Sequence, residues 1–469
     1  MGKPADRPEG EDPVTTSSRT WTALLATVLV VGVLVRIHNL LHYPVLWGFD
    51  APENWAYIQH LLESWRLPAP DEGWATSHPP LFYYLAAGLV RLLGRPDPAV
   101  AVQAVRLIGS AAGLATVALG VALVRNARPH DRLRMTLAAG SLLFLPAQIL
   151  MSAMLSEELL AACFASCAIF GCAWTLSRAE ASSRVGLEPL AIGVAAGLAT
   201  LTKLSGVVVV GAIVAAYVVD GLRRGALRAA AGRVILVSLA ACLVAGWFYA
   251  HNWLSYGYLY PQDLPLHRIM QTMPPGERHA ADYFSLPAAT WTDPQLLNPD
   301  LLRSVWGSTY ATVWFDGHRH FLPREDLATR RAGTALLLLA LLPTAAFAVG
   351  LGRGVRRWIR EPGGPDGPLL LLVGLSLLGY VAFTWYNPWF ATLKGTYLLG
   401  ISVPFAFYAS EALASWLRAG RLRGALVAVP LVALVVGVSA LFSFGLVVEK
   451  SELPGLVWRS DLRLRSPIP

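Results

Sequence analysis

The sequence predicts an all-α polytopic membrane protein with about eleven transmembrane helices and two interfacial helices in its first outer loop. Three observations carry this expectation. The 469 residues are 55% hydrophobic and only 14% charged, whereas a soluble domain carries about 25% charged residues. Apolar runs approaching the roughly 20 residues that a helix needs to cross hydrocarbon recur along the chain. Arginine clusters occupy alternate gaps between those runs, as expected of cytoplasmic loops under the positive-inside rule.

Taken in order, residues 1–20 are polar and read as a cytoplasmic tail. The run 21–37 lacks a small-residue cleavage site, so it reads as a retained span rather than a signal peptide. Further spans are expected at 101–124, 135–152, 157–176, 187–202, 204–220, 232–250, 332–351, 368–385, 395–413 and 425–448. Arg125, Arg128, Arg132 and Arg134 open the series of cytoplasmic clusters. Arg178 and Arg184 follow, then Arg223, Arg224, Arg228 and Arg233, then Arg353, Arg356, Arg357 and Arg360, and finally Arg418, Arg421 and Arg423. The remaining gaps are poor in Lys and Arg and face the exterior. They include the outer loop 38–100, the long outer loop 258–331 and the turns near Ser156, Lys203 and Lys394; the C-terminal tail, 449–469, which follows the eleventh span, is expected outside as well. The chain therefore divides into a transmembrane catalytic module, 21–257, and C-terminal transmembrane helices, 332–448. Within the first outer loop, Pro52 to Trp65 reads as one surface helix. Leu81 to Leu93 is too short to span and contains Arg91. It reads as an amphipathic helix in the outer interface, with Tyr83 and Tyr84 in aromatic-belt positions.

The net charge of +8 comes from these short clusters rather than from one basic face, which excludes a nucleic-acid partner. Cys163, Cys167, Cys172 and Cys242 all lie in apolar runs without zinc-site spacing, so no disulfide and no structural metal are expected. No cofactor is implied either.

Polar residues at the outer ends of spans carry the candidate chemistry. Asp50, just past the first span, is either a helix cap or a general base desolvated by Trp47, Phe49 and Trp55. Glu53 lies one turn further on. His78, before Pro79 and Pro80, can bond an anionic or a hydroxylated ligand. Glu157 and Glu158 are adjacent and would point about 100° apart on a helix, so one of them, Glu157, is expected to share a cavity with Asp50. Lys203 has no acidic neighbour in sequence and either snorkels or meets an anion. Lys394 repeats that arrangement, and two such lysines could clamp a phosphate. His251 and Asn252 add polar groups suited to sugar hydroxyls or phosphate. Trp306, Trp314, Asp316, His318 and His320 in 304–323 suit either carbohydrate recognition or a membrane-surface helix.

In this order the motifs resemble the lipid-linked-sugar transferases of the C-type glycosyltransferase (GT-C) fold, which include protein O-mannosyltransferases and aminoarabinose transferases. The resemblance spans most of residues 20–260. It rests on Gly48-x-Asp50, on His78-Pro-Pro-Leu-x-Tyr-Tyr84, and on Glu157 before Leu-Leu. It continues through Gly197-Leu-Ala-x-Leu-Thr-Lys203-x-Ser-Gly206 and Asn252-Trp-x-x-Tyr-Gly257. It implies transfer of one sugar from a polyprenyl-phosphate donor to a lipid, glycan or protein acceptor at the outer face of the cell membrane, with inversion. Asp50 would be the base, Glu157 a supporting acid and Lys203 a contact to the donor phosphate. Two positions depart from the pattern: Ala51 stands where relatives often have an acid, and His251 where they often have arginine. The competing classes are a secondary transporter or lipid flippase, which would place charges near the bilayer midplane, and a non-catalytic membrane scaffold.

Overall fold

The computed structural model describes residues 18–178, 186–260, 264–294, 298–318, 327–361 and 363–444. His320, the expected outer tail 449–469 and the cytoplasmic tail before residue 18 lie outside them. The described residues form helices and connecting turns, and their sole strand-like feature is an isolated bridge between Pro275 and Trp389. The chain is an all-α integral membrane protein.

Among the described residues, nine helices are long and apolar enough to cross a bilayer, and the count is ten if a bent pair is taken as one span. In chain order, α1 is Ser18–His42, α2 Ala51–Ser64, α3 Leu81–Leu92, α4 Pro98–Ala127, α5 Arg132–Leu143 and α6 Pro146–Ala153. Then come α7 Glu158–Arg178, α8 Glu188–Thr202, α9 Gly206–Arg224 and α10 Leu227–Tyr256, the last containing a π turn at Cys242–Gly246. After a long segment of short turns, α11 is Val305–Trp314, α12 Leu327–Arg360, α13 Asp366–Tyr386, α14 Ser402–Leu417 and α15 Arg421–Phe444. The expected span 187–202 is α8. Its 15 residues reach only about 22 Å, short of the roughly 30 Å hydrocarbon core, so a count of eleven rests on this helix.

Local chemistry explains the breaks. Pro98 and Asp97 start α4, Asp97 accepting from the Ala99 amide at 2.9 Å, and Asp131 caps α5 through the Arg134 amide at 3.0 Å. Pro146 lacks an N–H and disfavours helix in the residue before it, which ends α5 and bends the expected span 135–152 by 54° into α5 and α6. The carbonyl of Leu143 left at that break is taken by Arg36 Nη1 at 2.9 Å.

The arginine-rich ends of the helices meet at one end of the bundle. Arg357 grips Asp366 through two bonds of 2.9 Å and Glu411 through one of 2.6 Å, and Arg134 reaches Glu411 at 3.2 Å. Arg418 pairs with Asp131 at 2.6 Å. Residues whose charge marks topology thus also tie α5, α12, α13 and α14 together.

The first loop differs in detail from a pair of surface helices. Both helices form at the expected positions, but α2 and α3 pack on each other and on the bundle. Tyr83 is fully buried, stacked on Tyr57 with ring centroids 4.0 Å apart, and so is not a belt residue. Trp55 is likewise buried in the core instead of walling Asp50. In α11, Trp314 belongs to the main core and Trp306 packs around Val305 and Tyr380. Both tryptophans of the expected 304–323 cluster are thus engaged in packing within the protein.

Candidate active site

At the end of the bundle opposite the arginines lies a cavity of about 460 Å³. Asp50, His78, Glu157, Glu158, Lys203 and Lys394 all line it, although five separate stretches of chain supply them. It continues as an apolar arm between Val207, Val208 and Val209 of α9 and Leu372, Gly379 and Phe383 of α13.

Asp50 is held by its backbone. It precedes the first residue of α2 with φ 49° and ψ 16°, and its side chain makes no capping bond, so the capping alternative is set aside. An aspartate tolerates this left-handed conformation better than most residues, and the helix is started instead by the Asn54 amide donating to the Asp50 carbonyl at 2.8 Å. Just upstream, Gly48 has φ 119°, and a Cβ there would come within 2.1 Å of Met154 Cε. The turn therefore both demands glycine and packs on the end of α6. The carboxylate that emerges lies with Oδ2 3.7 Å from Lys394 Nζ.

Arg106 secures the chain just before that turn. Its buried guanidinium donates to the Tyr43 carbonyl at 3.0 Å and to the carbonyls of Pro44 and Val45. One side chain thus satisfies three acceptors that follow the end of α1. Arg106→Leu should leave buried carbonyls unpaired, at about 1–3 kcal/mol each. The thermal unfolding midpoint of the detergent-solubilised protein is expected to fall by several degrees. An unchanged midpoint would mean that water replaces the guanidinium and that the turn does not depend on it.

The two glutamates both face the cavity, which corrects the expectation that only Glu157 would. The reason is Lys203. Its ammonium bonds Glu158 Oε1 and lies 3.8 Å from Glu157 Oε1, so the cation draws both carboxylates to one side. Lys203 therefore does not snorkel to the headgroups; its ammonium is held inside the cavity by the two glutamates. It occupies the sharp connection between α8 and α9, which exists because Gly206 lies against α8. A Cβ at Gly206 would come within 2.3 Å of the Thr200 backbone nitrogen.

Lys394 is reached by a different route. The Gly395 amide donates to Thr312 Oγ1 at 2.8 Å and His318 Nε2 donates to the Leu393 carbonyl at 3.2 Å, so α11 and its exit hold the lysine loop. Between the two lysines stands Tyr397, its ring centroid 4.8 Å from Lys203 Nζ and 6.0 Å from Lys394 Nζ. Lys394 also sits 4.2 Å from the Phe49 ring centroid. These aromatic faces favour cations without neutralising them.

Three expected residues stand elsewhere. His251 and Asn252 border a separate crevice of about 10 Å³ with Thr76 and Tyr256. Asn252 is buried and spends its amide on the Leu259 carbonyl at 3.2 Å. Glu53 is not part of the cavity lining; burial pushes its carboxyl above the usual range, and the Asp50 charge adds to that. Conversely, Tyr397, Tyr260 and Asn54, which also line the cavity, and Arg106 escaped the sequence reading. An arginine inside a 24-residue apolar run was the available signal for Arg106, and the others carried none.

No protein-family model matches the chain, and no curated protein matches its sequence. The fold is that of the GT-C glycosyltransferases, the class to which the solved structures it resembles belong. The Archaeoglobus fulgidus oligosaccharyltransferase solved with Zn and sulfate superposes with a TM-score of 0.54 at 15% identity, over 90% of this chain and 53% of that one. The same organism's oligosaccharyltransferase AglB, in complex with an inhibitory peptide and a dolichol-phosphate, gives 0.52 at 13% identity, over 91% and 56%. ArnT from Cupriavidus metallidurans bound to undecaprenyl phosphate gives 0.40 at 15%, over 86% and 80%. This chain spans about half the length of the archaeal enzyme.

Proposed function

We propose that this chain is a membrane glycosyltransferase that moves a single sugar from a polyprenyl-phosphate donor to an acceptor on the extracytoplasmic face of the cell membrane, with inversion. The observation that carries the reading is the convergence of Asp50, Lys203 and Lys394 on one cavity that continues into an apolar arm. The fold supports it, and an archaeal oligosaccharyltransferase of that fold has been solved with a dolichol-phosphate. Arginine clusters gathered at the opposite end support an extracytoplasmic cavity.

In the proposed reaction Asp50 takes the proton of an acceptor hydroxyl or amine as that atom attacks the anomeric carbon. The carbon–oxygen bond to phosphate breaks, and its electron pair leaves with the polyprenyl phosphate. Lys394 and Lys203 offset the charge that builds on that leaving group, Glu157 and Glu158 keep Lys203 charged and in place, and the α9/α13 arm receives the isoprenoid. The phosphoester is already activated, so no nucleotide site is needed.

The test is a screen of the purified protein against a panel of polyprenyl-phospho-sugars, following release of polyprenyl phosphate with and without membrane extracts as acceptor source. At least one donor should turn over faster with acceptor present. Tight binding across the panel with no bond cleavage, together with movement of the lipid between leaflets of proteoliposomes, would overturn the proposal in favour of a flippase.

A further inference from the structure

A buried relay fixes how His78 meets its ligand. The Leu155 carbonyl accepts from Asn54 Nδ2 at 2.9 Å. A carbonyl cannot donate, so the Asn54 amide has one permitted orientation and its Oδ1 remains an acceptor. Tyr83 Oη donates to that Oδ1 at 2.8 Å, which uses the phenol's single proton. His78 Nδ1 lies 3.0 Å from the same phenol oxygen and can complete the bond only as the donor. Asn54, Tyr83 and Leu155 are all buried, so water does not compete for these positions. A neutral imidazole with its proton on Nδ1 carries its lone pair on Nε2. The Nδ1 edge is turned into the protein toward Tyr83, and the ring lines the large cavity, so the Nε2 edge is the one presented there.

We infer that His78 is the hydroxyl-recognition residue of this cavity: its Nε2 accepts a hydrogen bond from a substrate hydroxyl and does not bind the phosphate. The inference rests on the transferase reading above and assigns one residue within it. An anion needs a donor, and the relay leaves His78 without one on its cavity side. The sequence could not choose between a hydroxylated and an anionic ligand, whereas the order of donors and acceptors does. Burial also lowers the imidazole pKa below its usual 6.5; the charges of Glu157 and Asp50 raise it, and those of Lys203 and Lys394 lower it further. The acceptor form therefore persists as pH falls through 6.5 and is lost only below it.

The hydroxyl can belong to the donor sugar or to the acceptor, and two arms separate these sources. Protein labelled with ¹⁵N-histidine, with His78 assigned by difference from His78→Gln, should show a pyridine-type Nε2 and a protonated Nδ1 at neutral pH. Tyr83→Phe should convert this into a tautomer mixture. Adding polyprenyl phosphate should leave Nε2 unshifted. Polyprenyl-phospho-sugars should move it toward a hydrogen-bonded value if the donor sugar supplies the hydroxyl, and a short-chain alkyl glycoside should do so if the acceptor does. In the first case His78→Phe also erases the preference for sugar-bearing lipid over bare lipid phosphate, and in the second it keeps that preference. A protonated Nε2, a shift on adding bare polyprenyl phosphate, or no shift with any sugar would each overturn the assignment. None of these readouts requires turnover, so failure of the transferase reading would appear separately in the donor screen.

Discussion

Asp50→Asn is expected to lower sugar transfer by about 10²–10⁴-fold, with membrane insertion, unfolding midpoint and polyprenyl-phosphate affinity nearly unchanged. The separation follows from the geometry. Asparagine tolerates a left-handed backbone as well as aspartate does, so φ 49° at this position is preserved, and the carboxylate caps nothing that the amide would release. The ion pair with Lys394 is lost, but at 3.7 Å and with the Asp50 side chain 38% exposed it is worth at most about 1 kcal/mol. What the substitution removes outright is the capacity to take a proton. Glu53→Gln provides the internal comparison. Glu53 lies one turn along α2 and off the cavity lining, so its substitution should cost less than tenfold. Turnover by Asp50→Asn above a tenth of the wild-type rate would remove Asp50 as the base, and a large loss in Glu53→Gln would transfer the role to it.

The contrast between those two acids shows what a sequence exposes and what it hides. Spans are legible because crossing a bilayer requires long apolar runs and because arginine marks the ends on one side. Those two signals alone put Asp50, His78, Glu157, Lys203 and Lys394 on a common face. Whether residues on that face meet depends on turns and packing with no such period. Glu158 was expected to turn away from the cavity because neighbouring residues diverge on a helix, yet the Lys203 ammonium draws it in. His251 and Asn252 sit at the right depth, but α10 carries them to another crevice. The role of Arg106 requires knowing that three carbonyls beyond α1 need donors. Tyr83 looked interfacial because it lies on a short amphipathic helix expected at the outer interface, where aromatic residues are common, whereas its hydroxyl is the middle of a buried relay.

Lys203 is where stability and binding are hardest to separate, and the expected result depends on separating them. Lys203→Met leaves Glu158 and Glu157, whose side chains are 11% and 8% exposed, facing each other without a cation. Removing one partner of such a buried set costs about 3–5 kcal/mol, so the midpoint should fall markedly. Donor affinity should fall too, because an ammonium has three donors. One is engaged by Glu158 and the others remain for the donor phosphate in the proposed complex. A charge-assisted bond of about 1.5–3 kcal/mol corresponds to a loss of roughly 10- to 100-fold in polyprenyl-phosphate affinity. The double variant Lys203→Met/Glu158→Gln removes the carboxylate bonded directly to Lys203 and the repulsion between the two glutamates, so it should recover much of the midpoint while leaving the lipid affinity low. Lys394→Ala approaches the same result from the other side. Its partner Asp50 is more exposed than the glutamates, so affinity should drop with little change in midpoint. If the double variant regains both stability and affinity, Lys203 only neutralises its glutamates, and the phosphate contact falls to Lys394 alone.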